Sequence, residues 1–192
     1  MAVGAIVFCC VMTLPGKAQS AERASFEDFK IIKTVTASLL ASRSLTLGKR
    51  TLIVANHTLA KSGMLSDDQM SQYIGSHKVE TSVVRDMQRR NQGGGTDIKA
   101  FRAGTRQVQL GDLIFTTKRG DQEMIRSDEF EERFPNADAW ILLWLPGYSN
   151  DGSEAAVRFM YGPTTHGGIG TFGLKKMKSG WTVAWSTLQK LF

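Results

Sequence analysis

The sequence predicts a single α+β domain in which helices pack on one face of a C-terminal antiparallel β-sheet. Three observations carry this expectation. Apolar residues recur at helical spacing through much of the first half, while alternating and continuous apolar runs, divided by turn residues, fill the last third. The length, 192 residues, fits one domain. The composition, 42% hydrophobic and 22% charged, is that of an ordinary globular protein and argues against long-range disorder.

The N-terminus reads as a removable leader. Ala2 to Leu14 is an apolar run, Pro15-Gly16 breaks it, and Ala18-Gln19-Ser20 supplies a small-x-small pattern suited to cleavage beside Ala21. At about 13 residues this run is shorter than the roughly 20 that cross a bilayer. The expected organisation is therefore a cleaved signal segment, 1–21, followed by one α+β domain, 22–192. Nothing basic precedes Lys17, so the true start is expected upstream of Met1, which intact-mass analysis of the precursor would test. Both cysteines, Cys9 and Cys10, fall inside the leader. The mature domain is then expected to have no disulfide, no thiol nucleophile and no thiolate metal site.

Ser25 precedes a helix carrying Phe26, Phe29, Ile32, Val35 and Leu39, with a strand as the alternative because of its Val and Thr content. Leu52 to Leu59 reads as a strand. Ser66-Asp67-Asp68-Gln69 is a capping-box pattern that predicts a long helix to about Asn91, with Met70, Tyr73, Ile74, His77, Val84 and Met87 on its apolar face and Gly93-Gly94-Gly95 ending it. Val108 to Thr117 reads as a strand or strand pair interrupted by Gly111. Ser127 is placed to cap a short helix bearing Phe130 and Phe134, stopped by Pro135.

Ala139 to Leu145 is apolar on both faces, the pattern of a central strand. Pro146-Gly147 and Asn150-Asp151-Gly152 are turn signals. In Ala155 to Tyr161, Val157, Phe159 and Tyr161 alternate with Arg158. Gly170 to Met177 and Trp181 to Ser186 form a hairpin about Lys178-Ser179-Gly180, with Trp181, Val183 and Trp185 expected on one face.

Few residues suggest chemistry. Gly168-x-Gly170-x-x-Gly173 matches the dinucleotide fingerprint as text, but no crossover helix or acidic residue fits between it and Phe192. The glycines are expected instead to let a strand bulge or pack closely beneath a large aromatic ring. No cofactor is expected. His166, in Gly162-Pro163-Thr164-Thr165-His166-Gly167-Gly168, is the best single catalytic candidate, because a histidine in a rigid loop can serve as general acid or base. His57 and His77 have no metal-ligand spacing to it, and no metal site is expected, although His57, His166 and a carboxylate could meet in space. Trp140, Trp144, Tyr161, Trp181 and Trp185, with Phe159 and Phe172, could line one face of the sheet as a binding platform. The competing reading is that helices cover them as core. Asp121, Glu123, Asp128, Glu129, Glu131 and Glu132 read as a solvated helix face. Asn56-His57-Thr58 is a glycosylation sequon within a buried strand and is discounted.

The formal net charge is +6; without Lys17, 23 basic residues would face 18 acidic ones. A basic surface favours anionic partners, but the basic residues are scattered as pairs such as Arg89-Arg90 and Lys175-Lys176, with no long basic run. No nucleic acid is expected as partner.

The C-terminal third carries a recognisable set of residues. Phe130-x-x-x-Phe134-Pro135 leads to Pro146-Gly147-Tyr148-Ser149. Ala155-Ala156-Val157, Gly167-Gly168-x-Gly170-x-Phe172-x-Leu174-x-Lys176 and Gly180-Trp181-x-Val183 follow. With the strand ending near Thr58 and the helix ending Arg90-Asn91, this resembles a family of small exported bacterial proteins of uncharacterised function. The resemblance implies export and a shared fold, and carries over no catalytic residue. A looser likeness, of fold alone, is to the cone-shaped nuclear-transport-factor-like proteins, and fold does not give function. The leading expectation is a periplasmic or secreted, non-catalytic module that binds a protein, an envelope component or a small ligand. The alternative is a small hydrolase or isomerase using His166 with a nearby carboxylate.

Overall fold

A computed structural model describes residues 22–41, 51–59, 79–116, 122–162 and 167–190. The expected signal segment, Ser66 to His77 and His166 lie outside the described residues. The fold is α+β, with three helices and a mostly antiparallel sheet among the described residues.

Helix α1 (Phe26–Ala41) forms where helical spacing predicts it. A reciprocal cap starts it: the Asp28 amide donates to Ser25 Oγ at 3.2 Å, and the Ser25 amide donates to Asp28 Oδ2 at 2.6 Å. Ile31, Ile32, Val35 and Leu39 are buried along one stripe. Each such side chain contributes about 1.5–3 kcal/mol of burial.

Strand β1 (Thr51–Ala55) and helix α2 (Thr81–Arg90) follow. The expected helix from Ser66 to Asn91 does not run unbroken, because Glu80 is extended at φ −61° and ψ 132°. Glu80 takes the cap position of α2, where extended backbone is usual, and the β-branched Val79 before it favours the same conformation. Strands β2 (Val108–Gly111) and β3 (Ile114–Thr116) are the interrupted pair near Gly111, but they join different sheets. β3 forms a small hairpin with β4 (Gln122–Met124). Helix α3 (Ser127–Arg133) carries Phe130 and ends at Phe134, ahead of Pro135. Its cap position falls on Arg126, one residue before Ser127, and Arg126 makes no side-chain capping bond.

β5 (Ala137–Leu143), β6 (Gly147–Tyr148), β7 (Glu154–Gly162), β8 (Gly168–Met177) and β9 (Gly180–Lys190) complete the chain. The main sheet has the order β2-β1-β5-β7-β8-β9, with β6 also paired to β7. β5 is central, as its two apolar faces require. It pairs antiparallel with β7 and parallel with β1, which in turn pairs parallel with β2.

Because β5 is apolar on both sides, both faces of the sheet are covered. On one face α1 packs over Leu52, Val54, Ile141, Val157, Phe159 and Phe172. On the other, Phe130 of α3 joins Ile53, Leu113, Ile125, Leu142 and Trp144. The three glycines of the fingerprint-like run lie inside β8. A side chain at Gly170 would meet the Phe159 ring at 2.4 Å, and one at Gly173 the Trp185 ring at 2.0 Å.

The expected shared face of Trp181, Val183 and Trp185 is corrected. Leu174 pairs with Val183 but Gly173 pairs with Trp185, so Ala184 is the extra residue of a β-bulge. Trp181 and Val183 join the α1 side, while Trp185 turns to the opposite face.

Candidate functional site

The aromatic candidates do not form one platform. Tyr161 and Trp181 are buried beneath α1, in the cluster that holds the stacked pair Phe159–Phe172. Trp140 and Trp144 are buried on the opposite face. Trp185 is half-buried there. The split follows from alternation along β5 and from the bulge in β9, and four of the five rings are core. His166 lies outside the described residues. Gly162, near its turn, pairs with Trp140, so that stretch of β7 stands toward the start of β5, whereas His57 follows the end of β1.

Sequence reasoning missed a buried ionic network where α1, α2 and β6 meet. Asp28 is wholly buried, and Arg90 at the end of α2 is 6% exposed. Arg90 Nη1 and Nη2 donate to the two Asp28 oxygens at 2.7 and 2.8 Å. Arg90 Nη1 also donates to the Pro146 carbonyl at 2.7 Å, and its Nε to Glu22 at 2.8 Å. The Tyr148 hydroxyl donates to Asp28 Oδ1 at 2.7 Å. Beside it, the Asn91 side chain acts as a strand partner for Leu145: its amide donates to the Leu145 carbonyl at 2.9 Å, and its oxygen accepts from the Leu145 N–H at 2.8 Å.

This network sets protonation firmly. Burial opposes the charge on Asp28, but hydrogen bonds from Arg90 and Tyr148 outweigh it and hold the carboxyl below its usual range. Burial likewise opposes the Arg90 charge and is outweighed by Asp28, so the guanidinium stays protonated. Burial, then the Asp28 charge, pushes the Tyr148 hydroxyl well up. The shifts keep Asp28 ionised, Arg90 protonated and Tyr148 neutral, and the bonds among them tie α1 and α2 to β6. The signal was present in the sequence: Arg90-Asn91 and Pro146-Gly147-Tyr148-Ser149 are residues of the noted resemblance, and they meet here.

His57 stands at the carboxyl end of the parallel pair β1–β2. Its Nδ1 is 2.8 Å from Asn56 Oδ1, its Nε2 is 4.0 Å from Asp97, and Asn56 donates to Asp112. His57 and Asp97 also form an antiparallel bridge. Both ring nitrogens thus face a side-chain oxygen. Among the described residues no group of three or more potential ligands could hold a metal.

One groove, of about 470 Å³, lies along α2 from Glu80 to Arg89 beside Asn150; another, of about 490 Å³, is formed by residues 101–106 and β2. Phe101 and Val108 are buried beneath it, and Ala103 and Leu110 are half-buried. Arg102 and Arg106 border it, both exposed. The Arg102 guanidinium donates to the Lys99 and Phe101 carbonyls at 2.7 and 2.9 Å, which fixes its position. Lys33 reaches the rim from α1: a side chain added at Gly104, where φ is +76°, would meet Lys33 Nζ at 3.3 Å. No carboxylate lines the groove among the described residues. Its size is that of an ordinary ligand cleft, and its lining combines an apolar floor with converging positive charge.

No helix among the described residues is long and apolar enough to cross a membrane. No protein-family model matches this sequence, and comparison with the curated proteins and with the solved structures returns no match.

Proposed function

We propose that this chain is an exported, non-catalytic binding module whose ligand surface is the groove beside β2, and that the ligand is anionic. The observation that carries the reading is the charge around the groove: Arg102 and Arg106 in its lining and Lys33 beside Gly104, over an apolar floor, with no carboxylate in the lining among the described residues. Three like charges at one cleft raise the local concentration of an anionic partner and speed its encounter. Export rests on the Ala2 to Ser20 leader pattern, and places the partner in the periplasm or outside the cell. The lasting ion pair of the Asp28 carboxylate and the Arg90 guanidinium supports a scaffolding role for this buried polar network.

The test is binding to immobilised polyglutamate at low salt. We expect retention that weakens as salt rises and falls at least tenfold in Arg102→Glu/Arg106→Glu. Retention unchanged in that variant would remove the groove from the binding surface. Intact-mass analysis of protein from the periplasmic fraction tests export: a mass corresponding to cleavage near Ala21 is expected, and uncleaved cytoplasmic protein would sink that part.

A further inference from the structure

The groove runs along a sheet edge, and the direction of that edge's main-chain groups bears on what it binds. β2 is the last strand on its side of the sheet among the described residues. Leu52 N–H donates to the Gln107 carbonyl at 2.8 Å, and Asn56 N–H to the Gly111 carbonyl at 3.0 Å. Residues 107, 109 and 111 therefore turn their main chain toward β1. By the alternation of a strand, Val108 and Leu110 turn theirs outward, beside the cleft. Val108 and Leu110 also line that cleft. Hydrogen-bonding groups, apolar floor and positive rim thus converge on one strip of surface.

We propose that the ligand is an extended acidic peptide segment that adds as a strand alongside β2. This rests on the anionic-groove reading above and goes further by naming the ligand class. The main chain of the peptide bonds to Val108 and Leu110, which supplies affinity with little dependence on sequence. The side chains on its α1 side lie beside Phe101 and Val108, and its negative charge is drawn to Lys33, Arg102 and Arg106 around the cleft. Charge selects against basic segments, which the same rim repels. A small anion satisfies the rim but leaves the edge groups of β2 to water.

The experiment titrates acetyl-(Glu-Val)₃-amide into the whole protein and compares two versions N-methylated on alternate sets of peptide bonds. Only one alternate set of a strand faces the edge it joins. We expect one methylated peptide to lose at least tenfold in affinity and the other to bind nearly as the parent. Hydrogen exchange at the Val108 and Leu110 amides should slow on binding of the parent, and (Lys-Val)₃ should not bind. If both methylated peptides bind like the parent, or polyglutamate binds without slowing those amides, strand addition is overturned while the anionic groove stands. If no acidic probe binds at low salt, both readings fall together.

Discussion

Removing the Asp28 carboxylate is the sharpest test of what holds the two long helices to the sheet. In Asp28→Ala, Arg90 keeps its charge in a site 6% exposed and loses two bonds, while the Tyr148 hydroxyl and the Ser25 amide each lose an acceptor. Leaving a buried charge without its partner costs about 3–5 kcal/mol. Glu22 still holds Arg90 Nε, so the lower half of that range is expected. Even there the loss is a large part of the roughly 5–15 kcal/mol that stabilises a domain. Equilibrium urea unfolding at neutral pH, followed by far-UV circular dichroism, measures it. The double variant Asp28→Leu/Arg90→Met, which removes both charges, should be less destabilised than Asp28→Ala alone. The pH dependence gives a second readout. The folded Asp28 pKa is depressed, so its contribution is complete above the ordinary carboxylate range and is lost as pH falls through the folded value. Wild type should thus lose more stability than Asp28→Asn on acidification. A cost below about 1 kcal/mol for Asp28→Ala, with no change in acid sensitivity, would refute the claim that this pair is buried and binding.

Other outcomes follow from the packing. Gly147→Ala would place a methyl carbon 2.2 Å from the Val83 carbonyl and 2.4 Å from the Met87 amide, both fixed in α2. It should cost at least the roughly 1–3 kcal/mol of overpacking, measured by the same unfolding assay, and a neutral result would contradict the α2–β6 contact. Of the four tryptophans, Trp140, Trp144 and Trp181 are buried and Trp185 is half-buried. Acrylamide should therefore quench mainly the emission that Trp185→Phe removes; equal quenching in wild type and variant would count against this placement. Deleting Ala184 removes the bulge residue and sets Val183 directly before Trp185, which keeps the pairs Leu174–Val183 and Gly173–Trp185 and so the facing of both side chains. The near-UV circular dichroism should stay close to that of wild type, and any loss of stability should be small beside the several kcal/mol of a large core rearrangement. A strongly altered spectrum would mean that Ala184 is not the extra residue that sets the facing of Trp185.

Local patterns were legible in the sequence and distant partners were not. The helix from Phe26, the central strand around Ile141 and the C-terminal hairpin each follow from spacing within a few residues. The Asp28–Arg90 and Asp28–Tyr148 bonds join positions 62 and 120 apart, beyond any short-range pattern. Asp28 itself stands in the first turn of α1, where an acidic residue is commonplace. β4 is three residues long and begins with two polar ones, so nothing marked it as a strand. The bulge at Ala184 has no glycine to announce it, and a one-residue insertion reverses every facing beyond it. The aromatic residues were correctly suspected of being core, but their division between two faces depended on that bulge and on the alternation of β5. The groove was invisible for a different reason: Lys33 and residues 101–106 are brought together by α1 crossing the sheet.

The insertion of β1 between β2 and β5 bears on the order in which the chain folds. β7, β8 and β9 are consecutive neighbours whose pairing closes short loops. β1 must find β5 some eighty residues downstream, and each such closure carries a larger entropic cost. We expect the C-terminal meander to form first and the N-terminal half to close on it later. Pulse-labelled hydrogen exchange during refolding would then protect Phe172 and Leu174 before Leu52 and Val54, and simultaneous protection would argue against this sequence. On that view α1 and β1 are the last of the described elements to settle, and the Arg90–Asp28 clasp is the step that locks them.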